Sequence, residues 1–183
     1  MPRYVALLRG INVGGRNRVA MTDLRGLLEG LGYGDVRTHL QSGNAVLSAS
    51  SRSGTAVGKA VEEAVAAELG LQIRVVVRSA AQLASVIAAD PLGEVSTDHS
   101  HYLVAFCDKP VPPSVATDLV AADYAPEELA VVGSEVYLWL PHGVQDSRLA
   151  KALTDRRLGG TSTMRNWNTV RKLAELAGGQ TSA

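Results

Sequence analysis

The sequence predicts an α+β protein made of two ferredoxin-like (βαββαβ) plaits packed into one compact unit, with a C-terminal helix. Three observations lead to this class. The order strand–helix–strand–strand–helix–strand occurs twice along the 183 residues. The strands are short apolar or alternating runs, whereas the helices carry apolar residues at intervals of three and four. Glycine-containing turns join the middle strands in both halves.

The first predicted plait occupies residues 1–79. Its strands are YVALL at 4–8, two strands within DVRTHLQSGNAVLSA, and LQIRVVVRS at 71–79. Two helices carry apolar stripes, which consist of Leu24, Leu27, Leu28 and Leu31 in one and Val57, Val61, Ala64, Val65 and Leu69 in the other. A tight turn falls at Ser42-Gly43-Asn44, because Gly and Asn tolerate the positive φ that such turns require. The first strand is apolar at every position, so both of its sides should be buried.

The remainder of the chain repeats this order. Residues 80–100 form a short helix, AAQLASVIAAD, and a polar connecting loop, and residues 101–183 form the second plait with the C-terminal helix. Its predicted elements are a strand in HYLVAFCD, a helix in PPSVATDLVAADY, strands in ELAVV and EVYLWL, one helix in DSRLAKALTDRRLGG, a strand in TSTMR and a helix in NWNTVRKLAELAGG. Only the order of elements recurs, without a visible repeat of residues. We expect the two sheets to pack face to face or to join their edges.

Composition and charge exclude several classes of function. The 18 Lys and Arg residues equal the 18 Asp and Glu residues, and a formal net charge of zero argues against a dedicated duplex-DNA binder. Cys107 is the single cysteine, so we expect no intramolecular disulfide, and its apolar surroundings favour a buried thiol. The N-terminal apolar run is too short for a signal peptide or a membrane span. We therefore expect a cytoplasmic protein without membrane contact.

The clearest candidate for a ligand site is LLRGINVGGRNR, at 7–18, where an apolar strand enters a long loop rich in Gly, Arg and Asn. In a plait, the end of the first strand and the turn of the following hairpin lie at the same edge of the sheet. Residues 9–18 should therefore meet residues 41–44, and we call this edge the rim. Its candidate residues are Arg9, Asn12, Gly14, Gly15, Arg16, Asn17, Arg18, Gln41, Ser42 and Asn44.

Arginine and glycine in this arrangement are typical of anion recognition. Arginines pair with phosphate or carboxylate, and glycines let backbone N–H groups approach a ligand. The spacing matches neither the Walker A loop nor the dinucleotide fingerprint. A surface loop with solvated arginines, or a loop that contacts the second plait, explains the same residues without a ligand.

A second candidate lies at the start of the last helix, in RNWNTVR at 165–171. Asn166 suits the N-cap position, and Trp167 suits a buried anchor. Arg165 and Asn168 are left as candidate ligand contacts, and residues 165–169 would then extend the rim site.

Four aromatic residues suggest a different class of function. Alternation places Tyr102 and Phe106 on one face of their strand, and Tyr137 and Trp139 on one face of theirs. RNA-recognition plaits stack bases on aromatic residues of neighbouring central strands. The other interpretation is that these rings fill the protein interior, and rings that lie inside would exclude the nucleic-acid interpretation.

Metal and nucleophilic chemistry have little support. We expect no metal site, because His99 and His101 lie in a polar loop, and no nucleophile lies at a recognisable spacing from a base. The residues identify no cofactor and leave open whether the protein is an enzyme.

Several segments resemble a known bacterial family, the domain of unknown function numbered 1697. They are LLRGINVGG, LQSGN, YLWLPHG and MRNWNTVRKL, and the resemblance covers almost the whole chain. It implies a bacterial protein of about this size with a ferredoxin-like α+β fold, and it implies no catalytic residues.

The favoured hypothesis is a protein that binds an anionic or nucleotide-like small molecule at the rim. One alternative is a single-stranded nucleic-acid module that uses the four aromatic residues, although zero net charge disfavours nucleic acid as a partner. Another alternative is a protein-interaction subunit without a small-molecule site. A homodimer through a sheet edge fits that alternative.

Overall fold

The computed structural model describes residues 1–179, which form an α+β protein with two four-stranded antiparallel sheets and seven helices. The chain divides into two compact units. The first contains Met1–Ser85 together with residues 172–179, and the second contains Val86–Arg171. The sequence prediction assigns all of 101–183 to the second plait, whereas the later part of the last helix belongs to the first unit. Residues 180–183 of that prediction lie outside the described range.

The elements of the first unit follow the predicted order. They are β1 (Arg3–Leu8), α1 (Met21–Gly30), β2 (Gly34–His39), β3 (Asn44–Ser48), α2 (Gly54–Leu69) and β4 (Val75–Ser79). Helix α3 (Ala80–Ala89) follows directly and contains the boundary between the units. The sheet has the order β2-β3-β1-β4, with each neighbouring pair antiparallel. The central strand β1 is therefore paired on both sides.

The core of the first unit joins alternate strand residues to the predicted helix stripes. Its members include Tyr4, Ala6, Leu8, Ala45, Leu47, Leu24, Leu28, Val57, Val61 and Val65. On the opposite face of β1, Val5 and Leu7 are buried as well. The prediction that both sides of this strand are buried is confirmed.

The second unit repeats the arrangement. Its elements are β5 (Tyr102–Cys107), α4 (Pro113–Ala121), β6 (Glu128–Val132), β7 (Glu135–Trp139), α5 (Arg148–Ala152), α6 (Asp155–Leu158), β8 (Ser162–Asn166) and the start of α7 (Trp167–Gly178). The sheet order is β6-β7-β5-β8, again antiparallel throughout. Cys107 lies in the core with Leu103, Leu119 and Leu138, which confirms the buried thiol. None of the helices in residues 1–179 is long and apolar enough to cross a membrane.

One predicted helix is wrong: DSRLAKALTDRRLGG forms two short helices, α5 and α6. The backbone leaves the helical region at Leu153, which has ψ 61°, and it is extended at Thr154. The Thr154 hydroxyl then accepts a hydrogen bond from the Arg157 backbone N–H at 3.3 Å. Thr154 is therefore an N-cap that starts a new helix.

The two hairpin turns of the sheets both use a glycine with positive φ, but their surroundings differ. Gly43 has φ 91°, and a Cβ atom there would lie 2.8 Å from Ile11 Cδ1 and 2.9 Å from Leu8 Cβ. Gly133 in the second unit has φ 61°, and a Cβ atom there would meet nothing within 4 Å. Only the turn at Gly43 thus needs both the backbone freedom and the small volume of glycine.

We expect Gly43→Ala to destabilise the protein more than Gly133→Ala. The left-handed backbone alone costs an alanine about 1–2 kcal/mol, and this cost applies to both variants. Crowding against Ile11 and Leu8 adds about 1–3 kcal/mol for Gly43→Ala. Urea unfolding of both variants measures the difference. Equal losses of unfolding free energy would show that the side chains around Ile11 shift to accommodate the added methyl group without a measurable cost.

Candidate functional site

The two segments of the rim meet as predicted from the strand directions. The Leu8 backbone N–H donates to the Gly43 carbonyl at 2.9 Å. The Asn12 side-chain amide donates to the Gln41 carbonyl at 2.7 Å. These bonds tie the loop after β1 directly to the β2–β3 turn.

The loop after β1 forms a miniature hairpin. Val13 and Arg16 form a β-bridge, in which the Arg16 N–H donates to the Val13 carbonyl at 3.0 Å. The two residues between them, Gly14 and Gly15, have φ 58° and 74°. Positive φ at both central positions is the geometry of a type I′ turn, which glycine adopts without strain. The glycines that suggest a ligand loop are therefore also required by the turn.

The asparagines of the rim hold the loop together. The Asn12 amide donates to the Val19 carbonyl at 2.9 Å as well as to Gln41, and its Oδ1 accepts from the Val19 N–H at 2.9 Å. Asn17 donates to the Gly10 carbonyl at 3.1 Å. Asn44 is fully buried and donates to the His39 carbonyl at 2.9 Å, and it also bonds Ser42 Oγ at 3.0 Å. These predicted ligand contacts thus have structural partners within the rim and the residues next to it.

The arginines of the rim lie at the surface. Arg9, Arg16 and Arg18 are all exposed. The Arg18 side chain folds over the turn, where Nη2 lies 3.7 Å from the position that a Cβ atom at Gly15 would take. Among the ion pairs of residues 1–179, none involves the guanidinium of Arg16 or Arg18. The guanidinium groups of Arg16 and Arg18 are therefore two positive charges without a carboxylate partner in residues 1–179, on a loop whose backbone is held in place.

The equivalent connection in the second unit is much shorter. Residues 108–112 join β5 to α4, whereas residues 9–20 join β1 to α1. Both connections begin alike, because the Arg9 N–H donates to the Arg74 carbonyl and the Asp108 N–H donates to the Thr161 carbonyl, each at 2.9 Å. The architecture therefore does not require the long arginine-rich loop.

The second predicted site differs from the rim in its exposure. Arg165 is only 8% exposed, and its guanidinium donates to Thr163 Oγ1 and to the Met164 carbonyl, both at 2.8 Å. Burial lowers the pKa of Arg165 to about 10. Asn166 caps α7 as predicted, since its Oδ1 accepts from the Thr169 N–H at 3.0 Å. Asn168 is exposed in the first turn of α7.

The sequence interpretation missed a counterpart of Arg165. Arg78 is also buried, lies opposite Val5 of the central strand, and donates to the preceding Val77 carbonyl at 3.1 Å. Arg165 lies opposite Val104 of the other central strand. Each arginine precedes a residue whose side chain caps the following helix, Ser79 in one unit and Asn166 in the other. The signal in the sequence is Arg followed by Ser or Asn at the end of a strand.

The four aromatic residues lie on one face of neighbouring strands, as predicted, but three of them are buried. Tyr102, Tyr137 and Phe106 are at most 1% exposed, and Trp139 is half-buried. Tyr102 stacks on Trp167 with ring centroids 4.7 Å apart. The buried rings offer no exposed face on which a base could stack, so the arrangement disfavours the nucleic-acid interpretation.

Both tyrosine hydroxyls are bound inside the second unit. Tyr102 donates to Asp90 Oδ1 at 3.0 Å, and Tyr137 donates to the Val86 carbonyl at 2.8 Å. Burial raises the pKa of Tyr102, and the hydrogen bond to Asp90 raises it further. Burial also raises the pKa of Tyr137, with a smaller contribution from the charge of Glu135. Both phenols therefore release their protons at a higher pH in the folded protein than in the unfolded chain.

We expect Asn12→Asp to loosen the rim. The change is isosteric, but it replaces two donated hydrogen bonds by contacts between a carboxylate oxygen and the carbonyls of Val19 and Gln41. The loss should be about 2–3 kcal/mol of unfolding free energy, with faster amide hydrogen exchange across residues 10–19. Asn168→Asp adds the same charge at an exposed site and serves as the control. Unchanged exchange in Asn12→Asp would mean that the backbone holds the loop without this side chain.

We expect the folded protein to lose stability above about pH 10 through the two buried tyrosines. The unfolded chain releases their protons near pH 10, whereas the folded chain keeps them, so the free energy of unfolding falls by about 1.4 kcal/mol per pH unit for each tyrosine. Tyr137→Phe should remove one such contribution. Its stability relative to wild type should therefore improve steadily between pH 9 and pH 11, as urea unfolding can measure.

Phe106→Leu provides the control for this pH series, because it alters the same buried face without removing an ionisable group. Its loss of stability should be the same at every pH. A constant difference between wild type and Tyr137→Phe across the series would contradict the raised pKa of Tyr137.

The chain is similar to known proteins in its sequence family and in its fold. No curated protein matches the sequence significantly. A solved structure, that of the conserved bacterial protein SP0830 from Streptococcus pneumoniae, is similar in fold with a TM-score of 0.76 and 22% sequence identity, covering 96% of this chain and 98% of that one. Residues 1–137, which include both segments of the rim, match the family described as protein of unknown function, DUF1697. The chain therefore belongs to the DUF1697 family.

Proposed function

We propose that the rim binds an anionic small molecule, with Arg16 and Arg18 as its principal contacts. The observation that supports this function is the pair of exposed guanidinium groups without a carboxylate partner in residues 1–179, on a loop that several hydrogen bonds hold in place. A guanidinium binds phosphate or carboxylate through two parallel hydrogen bonds, so a fixed pair of arginines suits such a group.

The fixed backbone strengthens this proposal. A ligand that must order a mobile loop spends part of its binding free energy on that ordering. In the rim, the β-bridge between Val13 and Arg16 and the bonds of Asn12 restrict the loop before any ligand arrives. A Cβ atom at Gly14 would meet nothing within 4 Å, so the tip of the turn is open to an approaching anion.

The length of the loop between β1 and α1 also supports a binding role. The second unit joins β5 to α4 through residues 108–112, so folding places no demand for the longer connection at residues 9–20. Ordering the additional residues of a long exposed loop lowers the conformational entropy of the chain, which is unfavourable for folding. A binding role accounts for that cost, because the additional residues supply the turn and its arginines.

We also infer that each unit is a ferredoxin-like plait. The strand order 2-3-1-4 within each sheet and the helices after the first and third strands support this topology. In such a plait the rim lies at the sheet edge where the first strand ends, which explains why segments far apart in sequence form one surface.

We expect the double substitution Arg16→Ala with Arg18→Ala to remove anion binding while the fold persists. Loss of two charge-assisted contacts should weaken affinity about 100-fold or more, whereas unfolding free energy should change by less than about 0.5 kcal/mol, since both side chains are exposed. A thermal-shift screen at low salt with phosphorylated metabolites, carboxylates and inorganic phosphate identifies a ligand, and calorimetry of the variant measures the loss.

Arg25→Ala with Arg52→Ala is the matched control, because it removes two other exposed arginines of the first unit and changes net charge equally. This control should bind as wild type does. Equal weakening in both double variants would indicate a non-specific charge effect, and an absence of any thermal shift would direct attention to a protein partner.

A further inference from the structure

Leu40 is placed where neither folding nor solubility favours a leucine. It has φ 60°, a left-handed conformation that bulky residues rarely adopt because it strains the backbone. Its side chain is also 56% exposed. Glycine or asparagine would suit this backbone and water better, and strain of this kind concentrates at functional sites.

A second exposed apolar residue lies in the loop after β1. Val13, at the start of the miniature hairpin, is 63% exposed. The Asn12 amide, one residue before Val13, donates to the carbonyl of Gln41, one residue after Leu40, so the two exposed apolar residues flank one hydrogen bond between the segments. Val13 also pairs with Arg16 in the β-bridge, so it adjoins an arginine of the rim.

A polar group completes this surface. Gln41 is exposed, and its side-chain amide makes no hydrogen bond with residues 1–179. An amide offers both a donor and an acceptor, which match the polar edge of a nucleobase. An acyl phosphate would use the apolar pair and the arginines but would leave the amide without a function.

Resting on the proposed function, we infer that the anionic ligand of the rim is a nucleoside phosphate. The base lies against Leu40 and Val13, and its polar edge meets the amide of Gln41. The phosphate is bound by Arg16 and Arg18. An aliphatic surface suits the flat face of a base, and contact there removes apolar area of both partners from water.

Three ligands test this assignment by calorimetry on the full chain at low salt: adenosine 5′-monophosphate, ribose 5-phosphate and inorganic phosphate. We expect the nucleotide to bind roughly tenfold or more tightly than ribose 5-phosphate, because only the nucleotide provides a base. Equal affinities for the three ligands would overturn the inference and leave the anion site standing. If no ligand binds, the proposed function and the inference both fail.

Leu40→Gly separates recognition from folding. Glycine relieves the left-handed strain, so this variant should be at least as stable as wild type in urea unfolding. Its affinity for the nucleotide should fall roughly tenfold towards that of ribose 5-phosphate, whose own affinity should not change. Unchanged nucleotide affinity, or equal weakening for all three ligands, would contradict the contact between Leu40 and the base.

Val120→Ala is the matched control for this variant. Val120 lies on α4 of the second unit and is 60% exposed, so it is an apolar surface residue far in sequence from the rim. The control should retain the full preference for the nucleotide. Loss of that preference in Val120→Ala would mean that the discrimination does not arise at the rim.

Discussion

The surface at the end of β1 depends on the close approach of Ile11 to Gly43. Ile11 is completely buried in the core of the first unit, and its side chain occupies the space that a Cβ atom at position 43 would need. This anchor turns the chain back towards the hairpin directly after the strand. Asn12 follows the anchor and bonds the Gln41 carbonyl, so the apolar contact and the polar contact fix successive residues. These two contacts also restrict the backbone that carries the exposed arginines further along the loop.

The order of elements and the meeting of the two rim segments could be predicted, because both follow from periodicity and strand direction. The apolar run at 4–8 and the turn at Ser42-Gly43-Asn44 are local signals, and they correctly predicted β1 and the β2–β3 hairpin. Strand direction then sufficed to bring residue 9 and residue 43 to one edge. Such inferences need no knowledge of side-chain partners.

The roles of individual polar side chains could not be predicted in this way. Asn12 and Asn44 were candidates for ligand contacts, yet the carbonyls that they bond, among them Val19 and His39, take their positions only when the loop and the turn are formed. Arg165 illustrates the same limit, since the sequence offers it as a candidate ligand contact and gives no sign that the residue is buried. The helix break at Thr154 was missed because a threonine within a run of good helix formers is ordinary in sequence.

The path of the last helix has a consequence for how the protein is made. Its residues from Lys172 onward belong to the first unit, and the Leu176 carbonyl accepts a hydrogen bond from the Arg3 guanidinium at 3.0 Å. The first unit is therefore discontinuous in the chain. During synthesis these two parts leave the ribosome at different times, so β1 can bond Leu176 only after the intervening residues have been made. The unit that begins first can therefore reach its final form only after the whole second unit has been translated.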